Sequence, residues 1–181
     1  EKSYEIYRKL QVYDLESHYK LLLNLGGLQC AYGQYQPSEK NLLKALEIGE
    51  KIYGPQNLRL CSVLTNLGTL YLNQRMYDKA ALYLERGLNI RTKQLPPDSV
   101  EIAISLRNVA LLYSKTGKVA EGKQLYERVI QIRKSKLGEN HPETGSAISD
   151  LAICFHTENN FDKAVELYTK AIDIVTKTFP A

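Results

Sequence analysis

The chain has 181 residues, 44% hydrophobic and 24% charged, with 11 Gly and 6 Pro. This globular composition excludes a disordered or low-complexity segment and leaves room for one ordinary domain or a short array of repeats. The formal net charge of +4 is spread along the chain and leaves no nucleic-acid footprint. No apolar run approaches the roughly 20 residues of a membrane span.

The opening EKSYEIYRKL lacks the apolar core of a signal peptide, so a cytoplasmic protein without membrane contact is expected. The three cysteines, Cys30, Cys61 and Cys154, are odd in number and far apart, which fits neither a disulfide framework nor a zinc site. They fall in apolar helical patterns and read as small core residues.

Shifted by 42 positions, the chain meets itself. Asn24, Asn66, Asn108 and Asp150 share one register, and Ile48, Ile90, Ile132 and Ile174 share another. A fixed period without insertions is the signature of stacked repeats. Each copy reads as two amphipathic helices, and no run alternates with period two for long enough to make a strand. The expected fold class is all-α, a solenoid of antiparallel helix pairs.

Residues 1–13 read as the tail helix of a preceding repeat, because Tyr4 and Ile6 fall in the register of Leu46 and Ile48. The expectation is a longer array or an atypical end cap. Repeat 1 occupies 14–55. Asp14 is the expected N-cap of its first helix, Gly33 ends that helix, and Pro37 sits in the first turn of the second. Leu42, Leu43, Leu46 and Ile48 line one side of the second helix, which Gly54-Pro55 break.

Repeat 2 occupies 56–97. Leu60, Val63, Leu64, Leu67, Leu70 and Tyr71 recur at helical spacing, Tyr77-Asp78 open the partner helix, Leu84, Leu88 and Ile90 face inward, and Pro96-Pro97 stop it. Repeat 3 occupies 98–139. Asp98 with Glu101 resembles a capping box, and the turn falls at Thr116-Gly117-Lys118. Arg133, Lys134 and Lys136 close its second helix, where cations complement the helix dipole. Repeat 4 occupies 140–181. His141-Pro142-Glu143 start its first helix, Asn159-Asn160 separate it from the helix at Phe161-Asp162, and Pro180 closes it.

Small residues recur where helix axes must approach. Gly26, Gly68, Ala110 and Ala152 share a register in the first helices, and Ser38, Ala80, Gly122 and Ala164 face them from the second. Minimal side chains allow packing at the short end of the ~8–10 Å range. Leu25, Leu67, Val109 and Leu151 fill the space beside the first set, and Leu42, Leu84, Tyr126 and Tyr168 that beside the second. No single hairpin buries all of this, so each must stack on its neighbours.

Leu67-Gly68 with Tyr71, then Tyr77, Ala80, Leu84 and Leu88, resembles the tetratricopeptide repeat. The usual repeat has about 34 residues, so a period of 42 adds about two helical turns. Leu137-Gly138-Glu139-Asn140-His141-Pro142, Leu64-Thr65-Asn66-Leu67-Gly68 and Leu106-Arg107-Asn108-Val109-Ala110 are similar to the long repeats of kinesin light chains and nephrocystin-type proteins. The resemblance covers almost the whole chain. It implies a right-handed superhelix whose first helices line a concave groove that holds an extended or helical peptide.

On that implication the groove takes Lys20 and Asn24 from repeat 1, beside Leu23 and Gly27. Repeat 2 adds Thr65, Asn66, Thr69 and Asn73, with Ser62. Repeat 3 adds Arg107, Asn108, Leu111 and Lys115, with Ile104. Repeat 4 adds Ser149, Asp150 and Ile153, with Ser146 and Thr157. Kinesin light chains tend to carry two adjacent Asn in each repeat; Leu23, Thr65, Arg107 and Ser149 replace the first of them here, so the cargo grip of those proteins is not carried over. The basic carboxylate clamp of chaperone-binding members lacks its Lys near Leu23.

An Asn at one inner position in three consecutive repeats offers a donor and an acceptor to a peptide backbone; equally, such an Asn can bond a neighbouring helix and only stabilise the stack. Lys20, Arg107 and Lys115 make the first three repeats basic, Asp150 and Glu143 make the fourth acidic, and Leu111 and Ile153 add an apolar floor. The expected partner is a protein or peptide with acidic residues beside an apolar or aromatic anchor.

No catalytic constellation is present. His18, His141 and His156 lie in different repeats, and Gly26-Gly27 is followed by no Lys-Ser/Thr that would make a phosphate loop. No cofactor, metal or enzymatic activity is expected. The expected function is a non-catalytic interaction module, an adaptor or scaffold. The alternative is a structural spacer or self-associating segment of a longer multidomain protein, joined through exposed solenoid ends.

Overall fold

The structure, a computed structural model, describes residues 2–178, with side chains from 14 onward. Among the described residues there are α-helices, one short 3-10 turn at Leu58–Leu60 and no strand. The helices are α1 (Lys2–Ala31), α2 (Tyr35–Tyr53), α3 (Cys61–Asn73), α4 (Tyr77–Gln94), α5 (Val100–Lys115), α6 (Val119–Leu137), α7 (Pro142–Thr157) and α8 (Phe161–Thr178). They fall into two compact units, Glu1–Gln94 with α1 to α4 and Leu95–Ala181 with α5 to α8. The first unit pairs α1 with α2 and α3 with α4, and lays α3 against the first pair. The second pairs α5 with α6 and α7 with α8, and lays α7 against α6.

Each hairpin turns on one residue of left-handed backbone. Gly33, Arg75, Gly117 and Asn159, which are 42 apart, have φ of 74, 58, 84 and 59°. Gly and Asn tolerate this conformation; Arg75 accepts the steric cost of a Cβ in it.

The small-residue registers are the points of closest approach. Ser38 Oγ donates to the Gly26 carbonyl at 2.7 Å, and a Cβ added to Gly26 would lie 2.6 Å from Leu42 Cγ. A Cβ on Gly68 would run into Leu84 in the same way. In the second unit a Cβ on Gly122 would lie 3.1 Å from the Ala110 carbonyl oxygen. Around these approaches Leu60, Val63, Leu64, Leu67 and Leu70 in the first unit, and Ile102, Ala110, Ala147 and Ile148 in the second, are buried. All three cysteines are buried and unbridged.

Several local expectations change. Asp14 is no cap, because α1 runs through it without a break. The cap of α5 is Ser99, whose Oγ accepts from Ile102 N–H at 3.4 Å; Asp98 is drawn instead to Lys136 Nζ, 2.5 Å away. His141 caps α7, its Nδ1 accepting from Glu143 N–H at 3.2 Å.

Arg133 turns inward rather than serving the helix dipole from solvent. It is 5% exposed and donates through Nη1 to the Glu143 carbonyl at 2.6 Å, bracing α6 to α7. Burial lowers its pKa from the ordinary value. Leu25 and Leu43, expected in the core, are exposed. The side chains of Tyr4 and Ile6 and the stop at Pro180 lie outside the described residues.

Candidate functional site

In the first unit the expected groove residues lie on α1 and α3. Asn24 and Asn73 are exposed, and Thr65, Asn66 and Thr69 are half-buried. The Asn66 amide sits on the bare backbone of α1: a Cβ on Gly27 would be 3.1 Å from Asn66 Nδ2. Asn73 Nδ2 donates to Cys30 Sγ at 3.6 Å, so that amide fastens α3 to α1. Lys20 is held by Glu16 one turn earlier on its own helix, at 2.9 Å, and this partnership lowers the Glu16 pKa and raises that of Lys20.

In the second unit the main interaction was not anticipated. Arg107 on α5 forks onto Asp150 on α7: Nε donates to Oδ2, and Nη2 to Oδ1 at 3.1 Å. The carboxylate raises the Arg107 pKa. Arg107 and Asp150 therefore do not oppose one another as a basic stretch and an acidic end; they compensate each other. Their 43-residue separation, one repeat plus one residue, puts them on neighbouring first helices, which a repeat-by-repeat tally of charge does not register.

Further along the same two helices Leu111 is 38% and Ile153 47% exposed, with Ile104 at 37% on the other side of Arg107. Lys115 is exposed in the last turn of α5. Asn108 is half-buried beside this apolar strip. Neither Asn66 nor Asn108 uses its side-chain amide in a hydrogen bond to any described residue, so neither is spent on bonding a neighbouring helix.

Ser149 and Asp150 also border a cleft of about 430 Å³ between α7 and α8, whose walls include Ser146, Tyr168, Ile172 and Val175. Of these, Tyr168 reads from the sequence as a space-filling core position, yet it borders the cleft; periodicity shows which residues share a register, not which registers stay uncovered.

No group of three or more His, Cys, Asp or Glu is placed to hold a metal ion among the described residues. His141 serves as a cap, and His156 packs against Phe161 with ring centroids 5.7 Å apart. No helix is long and apolar enough to cross a membrane among the described residues.

A family model, Tetratricopeptide repeat, matches residues 18–93 and 101–177. No curated protein sequence matches the chain. Solved structures do. BtubC (BKLC) from P. vanneervenii is 18% identical with a TM-score of 0.77, over 90% of this chain and 65% of that one. A putative kinesin light chain from Podosopora anserina with nearly identical repeats is 23% identical with a TM-score of 0.69, over 92% and 77%. A Rap protein complexed with competence and sporulation factor is 21% identical with a TM-score of 0.76, over 90% and 44%. At these identities the likeness establishes an all-α repeat solenoid. The chain spans less than two thirds of the first of these structures.

Proposed function

Because the chain belongs to the tetratricopeptide repeat family, we propose that it is a non-catalytic adaptor that binds a peptide segment of a partner protein along the exposed faces of its first helices. The observation that carries the reading is the pair of half-buried amides at Asn66 and Asn108, with no side-chain hydrogen bond to any described residue. Such an amide offers a peptide backbone the donor and the acceptor it needs, whatever side chains the peptide bears. A solved Rap relative was crystallised in complex with competence and sporulation factor, which supports ligand binding by this fold.

The remaining groove residues divide the work. Thr65, Thr69 and Asn24 extend the polar face in the first unit, and Leu111 and Ile153 seat an apolar or aromatic anchor in the second. An acidic residue of the ligand pairs with Lys115, since Lys20 and Arg107 already have carboxylate partners. Asp150 lies beside the anchor and positions Arg107 rather than attracting charge, and Ser149 borders the α7–α8 cleft. Asn73 holds α3 in place. Buried, unbridged cysteines suit a reducing compartment, in keeping with a cytoplasmic adaptor.

Random-peptide display on the immobilised chain, followed by calorimetric titration of the selected peptides, tests this. Asn66→Ala and Asn108→Ala should each weaken binding by about 1 kcal/mol, about fivefold, the worth of one hydrogen bond. Selected peptides that bind both variants as tightly as the parent place recognition elsewhere and overturn the proposal.

A further inference from the structure

One hairpin turn carries a residue that does not suit its backbone. The left-handed position is filled by Gly33, Arg75, Gly117 and Asn159 in turn, and Arg75, at φ 58°, is neither Gly nor Asn. A long side chain is disfavoured in that region, and strain of this kind persists where the residue serves something other than the local fold.

The turn itself does not call for an arginine. It is closed by Arg75 N–H to the Leu72 carbonyl at 3.0 Å and Met76 N–H to the Tyr71 carbonyl at 2.9 Å. The turn at Gly33 makes the same two bonds, Gly33 N–H to the Cys30 carbonyl and Gln34 N–H to the Gln29 carbonyl, with no side chain at all in the strained position.

Nor does the fold use the charge. Arg59 and Arg86 reach Glu16 and Glu50, Arg107 reaches Asp150, and Arg128 and Arg133 reach the carbonyls of Pro97 and Glu143. Arg91 is engaged as well. Among the described arginines, Arg75 alone has a guanidinium that engages no other described group, and it is exposed. It stands two residues beyond Asn73, where the exposed polar face of α3 ends, and Met76 beside it is 39% exposed.

We propose that Arg75 is a ligand contact held in a strained turn: it takes a carboxylate of the peptide bound along α3, and Met76 covers the methylene stem of that acidic residue. The planar guanidinium fork matches a carboxylate in geometry and charge. This rests on the adaptor reading and gives the first unit its own acid-seeking group, as Lys115 is in the second. A cation at this place also suits the C-terminal end of α3, and the two roles predict opposite effects on stability.

Urea unfolding and calorimetric titration of the 181-residue chain test it. Arg75→Gly and Arg75→Asn bring in the residue types of the other turns, and each should raise the unfolding midpoint by relieving the backbone. The probes are acidic peptides selected from a random display library on the parent chain, each with a copy in which Asp or Glu is replaced by Asn or Gln. The acidic peptides should bind both variants about tenfold more weakly than the parent, the worth of a charge-assisted hydrogen bond, while the amide copies bind all three alike. Arg75→Lys, which keeps the charge and loses the fork, should fall between. A midpoint that stays or falls in Arg75→Gly and Arg75→Asn overturns the proposal and leaves Arg75 to the α3 dipole. Acidic peptides held equally by the parent and both variants overturn it as well. The adaptor reading is judged apart, by Asn66→Ala and Asn108→Ala: peptides that lose affinity there and not at Arg75 sink this contact alone.

Discussion

At the residue scale, backbone handedness decides more than side-chain chemistry does. Gly138 follows α6 with φ 103 and ψ 158°, a region essentially confined to glycine, and Gly54 follows α2 with φ 83 and ψ 156°. No added Cβ would meet anything within 4 Å at either position, so the constraint is conformational and not steric crowding by a neighbour. Gly138→Ala is expected to destabilise the fold by about 1–3 kcal/mol, read from urea unfolding. An unchanged midpoint would show that the α6–α7 connection relaxes freely. Gly54, followed by Pro55, was legible in the sequence as a breaker, and Gly138 only within the repeat motif. The caps were less so: Asp98, Ser99 and Glu101 all suit a helix start, and Ser99 takes the cap while Lys136 draws Asp98 away.

At the element scale, the helices of each pair are locked by minimal side chains facing branched ones. Gly68 lies in the middle of α3, where replacement by Ala ordinarily gains helix propensity of about 1 kcal/mol. Here the new Cβ would strike Leu84. Gly68→Ala should therefore reverse sign and cost about 1–3 kcal/mol, and Leu84→Ala should be less damaging in that background than in the parent. Thermal melting of the two single variants and the double variant checks the coupling; additive effects would mean that the pair does not touch. The sequence identified this register correctly because the period aligns Gly26, Gly68, Ala110 and Ala152. It did not show that Arg107 and Asp150 join neighbouring first helices, since that pairing depends on how far one repeat is displaced along the next, which a single repeat does not encode.

At the scale of the whole molecule, each unit has its own core. The first contains Leu60, Val63, Leu64, Leu67 and Leu70, the second Ala103, Ala110, Ala147 and Ile148, and all are within a few per cent of complete burial. Repeat arrays draw their stability from neighbouring elements rather than from distant contacts, and each unit exceeds the ~40 residues below which domains need staples. Residues 1–94 and 95–181 expressed separately should each be helical by circular dichroism and melt cooperatively. A half that remains unfolded would show that its core is incomplete without the rest of the chain.

The sequence by itself determined the architecture. Its period of 42 dictates helix pairs, the apolar registers dictate which faces stack, and the small residues mark where axes approach. The candidate groove on the first helices came from the repeat resemblance and not from the pattern itself. Only the tertiary structure decided which groups are already engaged. Arg107 and Asp150 compensate each other, Asn73 fastens two helices, and Asn66 and Asn108 spend their amides on no described residue. The physical reason is that a repeat pattern assigns the same role to every copy, whereas burial and ion pairing belong to the particular neighbour each copy meets.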